Sequence, residues 1–230
     1  MFLTFEGLDF SGKTTQAQLL VERLKSTQPR AEKGGGDQQT SRNGSPVIVH
    51  FLREPGGTQI SERIRGILLD NRWSEMTDLA EVLLFSASRT QLVSEVIMPA
   101  LHRGEIVVCD RFFDSTTAYQ GYGRGVDLDA IGRINRIATL DLSPDLTILI
   151  DIPVAEIERR KLRAGLHFDR METSGKEFYE RVREGYLDIA RKESGRFVVI
   201  DGTMSVDAVE NMIWKAVELK VVGNMYRRPV

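Results

Sequence analysis

The sequence predicts an α/β protein in which a five-stranded parallel sheet carries helices on both faces. Two features of the chain predict this architecture. Five short apolar runs alternate with longer segments whose apolar residues recur at helical spacing. The runs are largely apolar instead of alternating with polar residues, which is typical of parallel strands buried on both faces. Right-handed crossovers between such strands give a doubly wound sheet.

The five predicted strands are the apolar runs themselves. The first run is too short for a helix and is ended by Gly7, and the third is entirely apolar. The predicted strands span residues 2–6, 47–52, 106–109, 146–150 and 197–200.

The segments between the strands carry the helical pattern. The first of them carries a helical pattern of apolar residues at Ala17, Leu19, Leu20, Val21 and Leu24. Another begins at Pro153, and proline is tolerated at a helix start because the first N–H groups have no partner there. The predicted helices span residues 14–25, 59–69, 75–102, 128–140, 153–163, 176–192 and 205–221.

Length and composition indicate one globular domain. The 230 residues are 41% hydrophobic and 28% charged, which excludes a chain that is disordered or fibrous as a whole. We expect a single domain over residues 1–221 and a C-terminal tail at 222–230.

Cysteine content, hydropathy and charge limit the setting of the protein and its partners. The single cysteine, Cys109, excludes an intrachain disulfide framework and fits a reducing cytosol, so we expect a cytoplasmic protein. No run of about 18 apolar residues occurs, and the N-terminus lacks a basic segment, so we expect no membrane span and no signal peptide. The net charge of −2 argues against nucleic acid as a partner.

Residues 29–46 depart from this pattern. They contain no aliphatic side chain larger than that of Ala31 and no aromatic residue, so they cannot bury enough apolar surface to offset their ordering entropy. The segment is also much longer than the usual connection between a helix and a strand. We expect a flexible surface insertion, and a functional flap is the alternative.

A phosphate-binding loop follows the first predicted strand and precedes the first predicted helix. Its sequence fits G-x-x-x-x-G-K-[ST], in which the glycines allow successive N–H groups to point inward. Lys13 is expected to reach the β- and γ-phosphates, and the Thr14 hydroxyl can ligate Mg²⁺. The predicted ATP-binding residues are Gly7, Leu8, Asp9, Phe10, Ser11, Gly12, Lys13 and Thr14.

This loop alone leaves GTPases, ATPase motors and small-molecule kinases open. The sequence lacks the Asn-Lys-x-Asp pattern that reads guanine, and its core is small for a motor. Three further stretches narrow the choice: REPGGT at 53–58, FSASR at 85–89, and DRF followed by STTAYQG within 110–121. The first and third follow predicted strands, at the carboxyl ends where open α/β sheets bind ligands.

Together with the loop GLDFSGKTT, these stretches resemble the thymidylate kinase family. The segment FDRME at 168–172 is similar to the end of that family's lid, and the resemblance extends from residue 2 to about residue 217. It implies a P-loop NTPase fold like that of nucleoside monophosphate kinases, with a lid at about 159–173. It further implies ATP-dependent phosphorylation of dTMP to dTDP, a step in dTTP biosynthesis, with Mg²⁺ as cofactor and with ATP and dTMP as partners.

Base recognition is expected around Phe85 and Arg89. The two residues are four apart in a predicted helix and share a face, so the ring could stack on a base that the arginine also approaches. The alternative is a core phenylalanine with a solvated arginine. The substrate-binding residues implied by the resemblance are Glu54, Phe85, Arg89, Arg111, Thr116, Tyr119 and Gln120.

Phosphate chemistry is expected around residues 110 and 111. Asp110 ends the third strand, where an aspartate can hold water on Mg²⁺, so Thr14 and Asp110 are the expected metal-site residues. The planar guanidinium of Arg111 suits a phosphate, although a structural ion pair is the alternative. Asp9 lies among phosphates and must contact an arginine, Mg²⁺ or a sugar hydroxyl. The resemblance implies that Arg111 binds the dTMP phosphate and that Asp9 lies near the transferred group.

A further catalytic arginine is expected in the lid. The phosphate-binding loop contains none, whereas residues 159–170 are rich in arginine. Gly165 could end the preceding helix and act as a hinge. The resemblance is to the bacterial-type branch of the family, whose basic lid closes over ATP. Arg163 is the first choice because it is nearest the hinge and, by that resemblance, matches a lid arginine of this branch. Arg160 and Arg170 are weaker candidates, and a solvated basic helix end is the alternative. The expected catalytic residues are Asp9, Lys13, Arg111 and Arg163.

The resemblance also implies a homodimer, with the helix of Phe85 near the interface. That helix offers more apolar surface than one side needs, at Leu79, Val82, Leu83, Ser86 and Leu92. Two other functions stay open. One is another P-loop kinase of monophosphates or small molecules, and the other is a nucleotide-dependent switch or binding module.

Overall fold

A computed structural model describes residues 1–26, 48–164 and 175–227. The predicted insertion at 29–46 and residues 165–173 of the predicted lid, including the proposed hinge at Gly165, lie outside the described residues.

The sheet has five parallel strands in the order β2-β3-β1-β4-β5, as predicted. The strands are β1 (Phe2–Glu6), β2 (Val49–Arg53), β3 (Ile106–Asp110), β4 (Leu146–Asp151) and β5 (Phe197–Asp201). The first strand lies at the centre, and Phe5 pairs with Asp110 on one side and with Ile148 on the other. The register therefore brings the carboxyl ends of β1, β3 and β4 to one edge of the sheet.

Nine α-helices and two π-helical segments lie in the described residues. The helices are α1 (Lys13–Ser26), α2 (Gln59–Leu69), α3 (Asp78–Leu92), α4 (Met98–His102), α5 (Phe113–Thr116), α6 (Leu128–Thr139), α7 (Val154–Ala164), α8 (Lys176–Lys192) and α9 (Val206–Arg227). The π-helical segments are Val93–Ile97, which joins α3 to α4, and Thr117–Gly123, which follows α5. The last helix continues beyond residue 221 to Arg227, into the residues 222–230 that were expected to form a tail.

Helices cover both faces of the sheet because alternate strand residues point to opposite sides. Leu3 and Phe5 pack with α1 and α9 on one face. Phe2 packs on the other face, beside Leu92 and Cys109. Cys109 is fully buried, and burial raises the pKa of its thiol well above the ordinary range. Among the described residues, none of the helices combines the length and apolar character needed to cross a membrane.

Candidate active site

The phosphate-binding loop connects β1 to the N-terminus of α1. Gly7 adopts a φ of +138°, and a Cβ there would lie 2.4 Å from the carbonyl oxygen of Ile150, so this turn requires glycine. The Lys13 ammonium donates to the carbonyl of Leu8 at 2.7 Å across the loop. Burial, together with the positive charge of Arg111, lowers the pKa of Lys13 to about 8. The loop is therefore preformed around an amine that an incoming phosphate can pair with.

Thr14 and Asp110 meet at the edge of this loop. The Thr14 hydroxyl donates to Oδ2 of Asp110, and the other oxygen, Oδ1, is buried and has no hydrogen-bond partner in the described part of the chain. A buried carboxylate oxygen of this kind fits a divalent cation or its water. No cluster of three or more acidic, histidine or cysteine side chains suited to a metal occurs in the described residues. A Mg²⁺ ion here would take most of its ligands from phosphate and water.

Arg111 lies directly after β3 and faces the phosphate-binding loop. Its guanidinium donates to Asp9, to the carbonyl of Gly7 at 3.0 Å and to the Tyr119 hydroxyl at 3.2 Å. Burial alone would raise the pKa of Asp9, but the charges of Arg111 and Lys13 outweigh it and the pKa is lowered. Asp9 is thus the anionic partner of Arg111, one of the contacts expected of an acid in this loop.

Beneath Arg111, Glu6 is completely buried at the end of the central strand. Its carboxylate accepts hydrogen bonds from the backbone N–H of Phe112 at 2.8 Å, from Ser115 Oγ at 2.6 Å and from the Tyr186 hydroxyl at 2.9 Å. Burial, and then the charge of Asp114, raises the pKa of Glu6 to about 7. Ser115 and Tyr186 also accept from Arg111, at 3.1 and 3.2 Å, so Glu6 supports the arginine through shared partners.

A cavity of about 280 Å³ opens at this edge of the sheet. The expected site residues that line it are Asp9, Phe10, Lys13, Thr14, Glu54, Phe85, Arg89, Asp110, Arg111, Thr116, Tyr119 and Gln120. The other loop residues expected to bind ATP, which do not line it, are Gly7, Leu8, Ser11 and Gly12. The cavity therefore joins the phosphate-binding loop to the residues expected to recognise a substrate.

Arg89 is buried in the wall of the cavity, so the alternative of a solvated arginine is wrong. Its Nε donates to Glu54 Oε2 at 2.7 Å, and Nη2 donates to Thr116 Oγ1 at 3.0 Å. Burial raises the pKa of Glu54 to about 7 despite the charge of Arg89. Phe85, one turn before Arg89, is partly exposed and lines the same cavity.

Tyr119 and Gln120 lie in the π-helical segment after α5. The Tyr119 hydroxyl donates to Asp9 at 2.9 Å, and burial raises the pKa of this tyrosine well above its ordinary range. The Gln120 amide donates through Nε2 to Oε1 of Glu81, a buried residue of α3, at 2.8 Å. The STTAYQG stretch thus lines the cavity with residues of a helical segment, although the sequence did not predict a helix there.

Comparison with known proteins identifies the family. A family model described as thymidylate kinase matches residues 38–213. The chain belongs to the thymidylate kinase family. The thymidylate kinase of Geotalea daltonii is 46% identical over 229 residues, covering 97% of this chain and 99% of that relative. The thymidylate kinase of Pelotomaculum thermopropionicum is 44% identical over 217 residues, covering 94% and 92%.

The fold agrees with a solved member of the thymidylate kinase family. A crystal structure of thymidylate kinase from Ehrlichia chaffeensis matches with a TM-score of 0.70 and 35% identity, covering 95% of this chain and 98% of that chain. The resemblance drawn from the sequence motifs is therefore confirmed, and the protein is a kinase that transfers a phosphoryl group to its substrate.

Several cavity residues of this thymidylate kinase family member were not predicted individually. Arg53 lies at the end of β2, inside the REPGGT stretch, and donates to Glu62 at 3.0 Å. Arg65, on α2, donates to the carbonyl of Pro55 at 2.9 Å. Both arginines line the cavity and add positive charge to its rim. The position of Arg53 directly after a strand was a signal for it, whereas Arg65 has no comparable signal in the sequence.

Of the three predicted lid arginines, only Arg160 has a side chain within the described part of the structure. Arg160 donates through Nη1 to the carbonyls of Phe10 at 2.9 Å and Ser11 at 3.1 Å, and through Nη2 to that of Gly202 at 2.8 Å. It therefore holds the phosphate-binding loop against the end of β5. Arg163 lies in the last turn of α7, but its side chain is outside the description, as is the whole of Arg170.

Proposed function

We propose that this enzyme transfers the γ-phosphoryl group of ATP to the phosphate of dTMP, giving ADP and dTDP for the synthesis of dTTP. The observation that carries the proposal is one cavity with two differently built ends. The phosphate-binding loop with Lys13 and Arg111 forms one end, and an aromatic ring with buried polar groups forms the other. Membership of the thymidylate kinase family supports the same reaction.

The basic residues at the phosphate end of the cavity neutralise the negative charge of the phosphates. Lys13 and Arg111 both donate hydrogen bonds to carbonyls of the loop, and Asp9 keeps the Arg111 guanidinium in place. Thr14 and Asp110 are the residues that would hold Mg²⁺, which supplies positive charge between the phosphates when it is bound. A loose phosphoryl transition state needs positioning and charge neutralisation, and the acceptor phosphate is already an anion. No general base is required.

The other end suits a nucleobase. Phe85 offers a partly exposed ring for stacking, while Arg89 and Gln120 offer polar atoms at the edge of a base lying on that ring. Between the two ends, Tyr119 and Asp9 provide groups that a deoxyribose hydroxyl can bind. A substrate with a base, a sugar and a phosphate spans these groups in that order.

A coupled assay of ADP release tests the function. We expect ADP release to depend on dTMP and to be much slower with AMP, CMP or GMP. Lys13→Ala should abolish it, and Lys25→Ala, at an exposed lysine of the same helix, is the matched control with activity near that of the unaltered enzyme. Release with another monophosphate but not with dTMP would favour a different kinase. Slow release that ignores every monophosphate would favour a nucleotide-dependent switch.

We also propose that two copies form an isologous dimer through α2 and α3. Leu79 and Leu83 are exposed one turn apart on α3, and Ile60 is exposed on α2. Val82, Ser86 and Leu92 were expected on the same apolar surface but are buried within the monomer. Sedimentation equilibrium at micromolar concentration should give twice the 25.9 kDa chain mass, and a species of 25.9 kDa alone would contradict the dimer.

A further inference from the structure

Glu81 is a buried acid of α3 that neither the sequence motifs nor the proposed chemistry assigns to a role. It lies one helical turn before Phe85 and is 1% exposed. Its Oε1 accepts the hydrogen bond from Gln120 Nε2 at 2.8 Å, and Gln120 is 2% exposed where it lines the cavity. The contact joins two residues that are 39 positions apart in the chain.

This contact decides which end of the Gln120 amide faces the cavity. The two ends of a side-chain amide have nearly the same shape, but one donates and the other accepts. Because the Glu81 oxygen accepts from the amide NH₂, the carbonyl oxygen of Gln120 faces away from Glu81. The Arg124 guanidinium, with Nε 3.6 Å from the same Glu81 oxygen, supplies the balancing charge.

The Thr116 hydroxyl can act as a donor beside the Gln120 carbonyl oxygen, which is an acceptor. Thr116 is four residues before Gln120 and accepts a hydrogen bond from Arg89 Nη2 at 3.0 Å. Its own hydroxyl proton is therefore free to point elsewhere. Arg89 can only donate, and its Nε donates to Glu54 Oε2 at 2.7 Å. The wall next to Phe85 thus presents donors and one acceptor side by side.

The order of these groups distinguishes two kinds of pyrimidine. Thymine and uracil present a carbonyl oxygen beside an N3–H donor, whereas cytosine presents an amino donor beside an N3 acceptor. A donor next to an acceptor pairs with the first arrangement and leaves both partners unpaired against the second. We propose that Glu81 is a positioning residue that makes the enzyme prefer pyrimidine diones over aminopyrimidines by orienting the Gln120 amide. This inference rests on the proposed function, because it requires a nucleobase on Phe85.

Glu81→Gln tests the inference with little change of shape. An amide at position 81 can present either end, so Gln120 is free to turn over. We expect the ratio of kcat/KM for dTMP to that for dCMP to fall by about tenfold or more, since one oriented hydrogen bond is lost. The KM for dTMP should rise, and the KM for dUMP should rise with it, because both bases are pyrimidine diones. The KM for ATP should stay within about twofold, because only base recognition is altered.

A double variant and a matched control separate orientation from simple packing. In Glu81→Gln with Gln120→Glu, the new amide donates to the new carboxylate, whose second oxygen again offers an acceptor to the cavity. The dTMP preference should return to near the original value. Asp78→Asn is the control, because Asp78 is the other acid beside Arg124, at 3.6 Å, but is half-exposed. It should leave the preference unchanged.

Each outcome either supports the inference or overturns it. An unchanged dTMP-to-dCMP ratio in Glu81→Gln overturns it, and so does a lower melting temperature without a change of ratio. A folded double variant that fails to recover the preference also overturns it. If Glu81→Gln does not fold, the test is made on the unaltered enzyme with dTMP methylated at N3, which lacks the N3–H donor. If this analogue binds as tightly as dTMP, the inference is overturned. Absence of dTMP-dependent ADP release by the unaltered enzyme would instead refute the proposed function.

Discussion

The buried carboxyl of Glu6 makes the stability of the fold depend on pH in an unusual direction. Its pKa is raised from the ordinary 4.5 to about 7 in the folded chain, mainly because the group is removed from water. Well below pH 4.5 both the folded and the unfolded chain carry the proton, and the raised pKa has no effect on stability. As the pH rises toward 7, the unfolded chain releases the proton and the folded chain keeps it, so stability is progressively lost.

Glu6→Gln should remove this dependence. The amide stays neutral, its oxygen can still accept from the Phe112 N–H, and the Ser115 and Tyr186 hydroxyls can turn to accept from its NH₂. Each pKa unit is worth about 1.4 kcal/mol, so ionisation of Glu6 destabilises the folded state by about 3 kcal/mol at pH 8. The free energy of unfolding of the variant, minus that of the unaltered protein, should therefore increase by about 3 kcal/mol between pH 4.5 and pH 8.

Urea denaturation at pH 4.5, 6 and 8, followed by circular dichroism, measures this difference. Titrating groups other than Asp114, whose charge acts on Glu6, are common to both proteins and cancel in the comparison. Glu22→Gln, at an exposed carboxylate on α1, is the matched control and should give a pH profile parallel to that of the unaltered protein. Parallel profiles for Glu6→Gln as well would refute the reasoning, because they would mean that Glu6 titrates alike in the folded and unfolded chains.

Three further perturbations test the site and the insertion. Phe85→Ala should weaken dTMP binding by about 1–3 kcal/mol, the range for stacking of a base on an aromatic ring, and leave ATP binding unchanged by calorimetry; retained dTMP affinity in a loosened fold would favour a core role. Replacing residues 30–45 by a short glycine–serine link should leave kcat and Tm nearly unchanged, since closing a loop costs only about 0.6 kcal/mol per doubling of its length; a tenfold fall in kcat would indicate a flap. Arg163→Ala should lower kcat at least about a hundredfold and move the dTMP Kd by less than about threefold, with partial rescue by lysine. Unaltered kcat in Arg163→Ala, Arg160→Ala and Arg170→Ala alike would exclude a catalytic lid arginine.

The strands and most helices were predictable because their signals are local. A parallel strand buried on both faces is apolar along most of its length, and the five predicted strands agree with the observed ones to within about two residues. The helical stretch from α5 to Gly123 was missed. Its serine, threonine, tyrosine and glycine residues are poor helix formers, and its helical form depends on packing such as that of Tyr119 against Phe178 and Tyr186 of α8.

The site was predictable where its residues are contiguous and less so where they are distant. The phosphate-binding loop and the Asp110–Arg111 step each lie in one short motif. Glu6 binds groups that lie 106, 109 and 180 residues away, so no spacing in the sequence reveals its role. A carboxylate that ends an otherwise apolar central strand was the one signal available. The pairing of Glu54 with Arg89, which lie 35 residues apart, is hidden for the same reason.

The burial of Cys109 gives the chain a reporter of its own unfolding. It is the single cysteine in the sequence, and it lies in β3, where the strand is held between β1 and β2. A thiol reagent can reach it only when this part of the sheet separates, so its rate of labelling under native conditions measures how often the sheet opens. Slower labelling on addition of a nucleotide would measure how strongly that ligand stabilises the closed sheet. No introduced probe is needed, because the native sequence already places one buried thiol in the sheet.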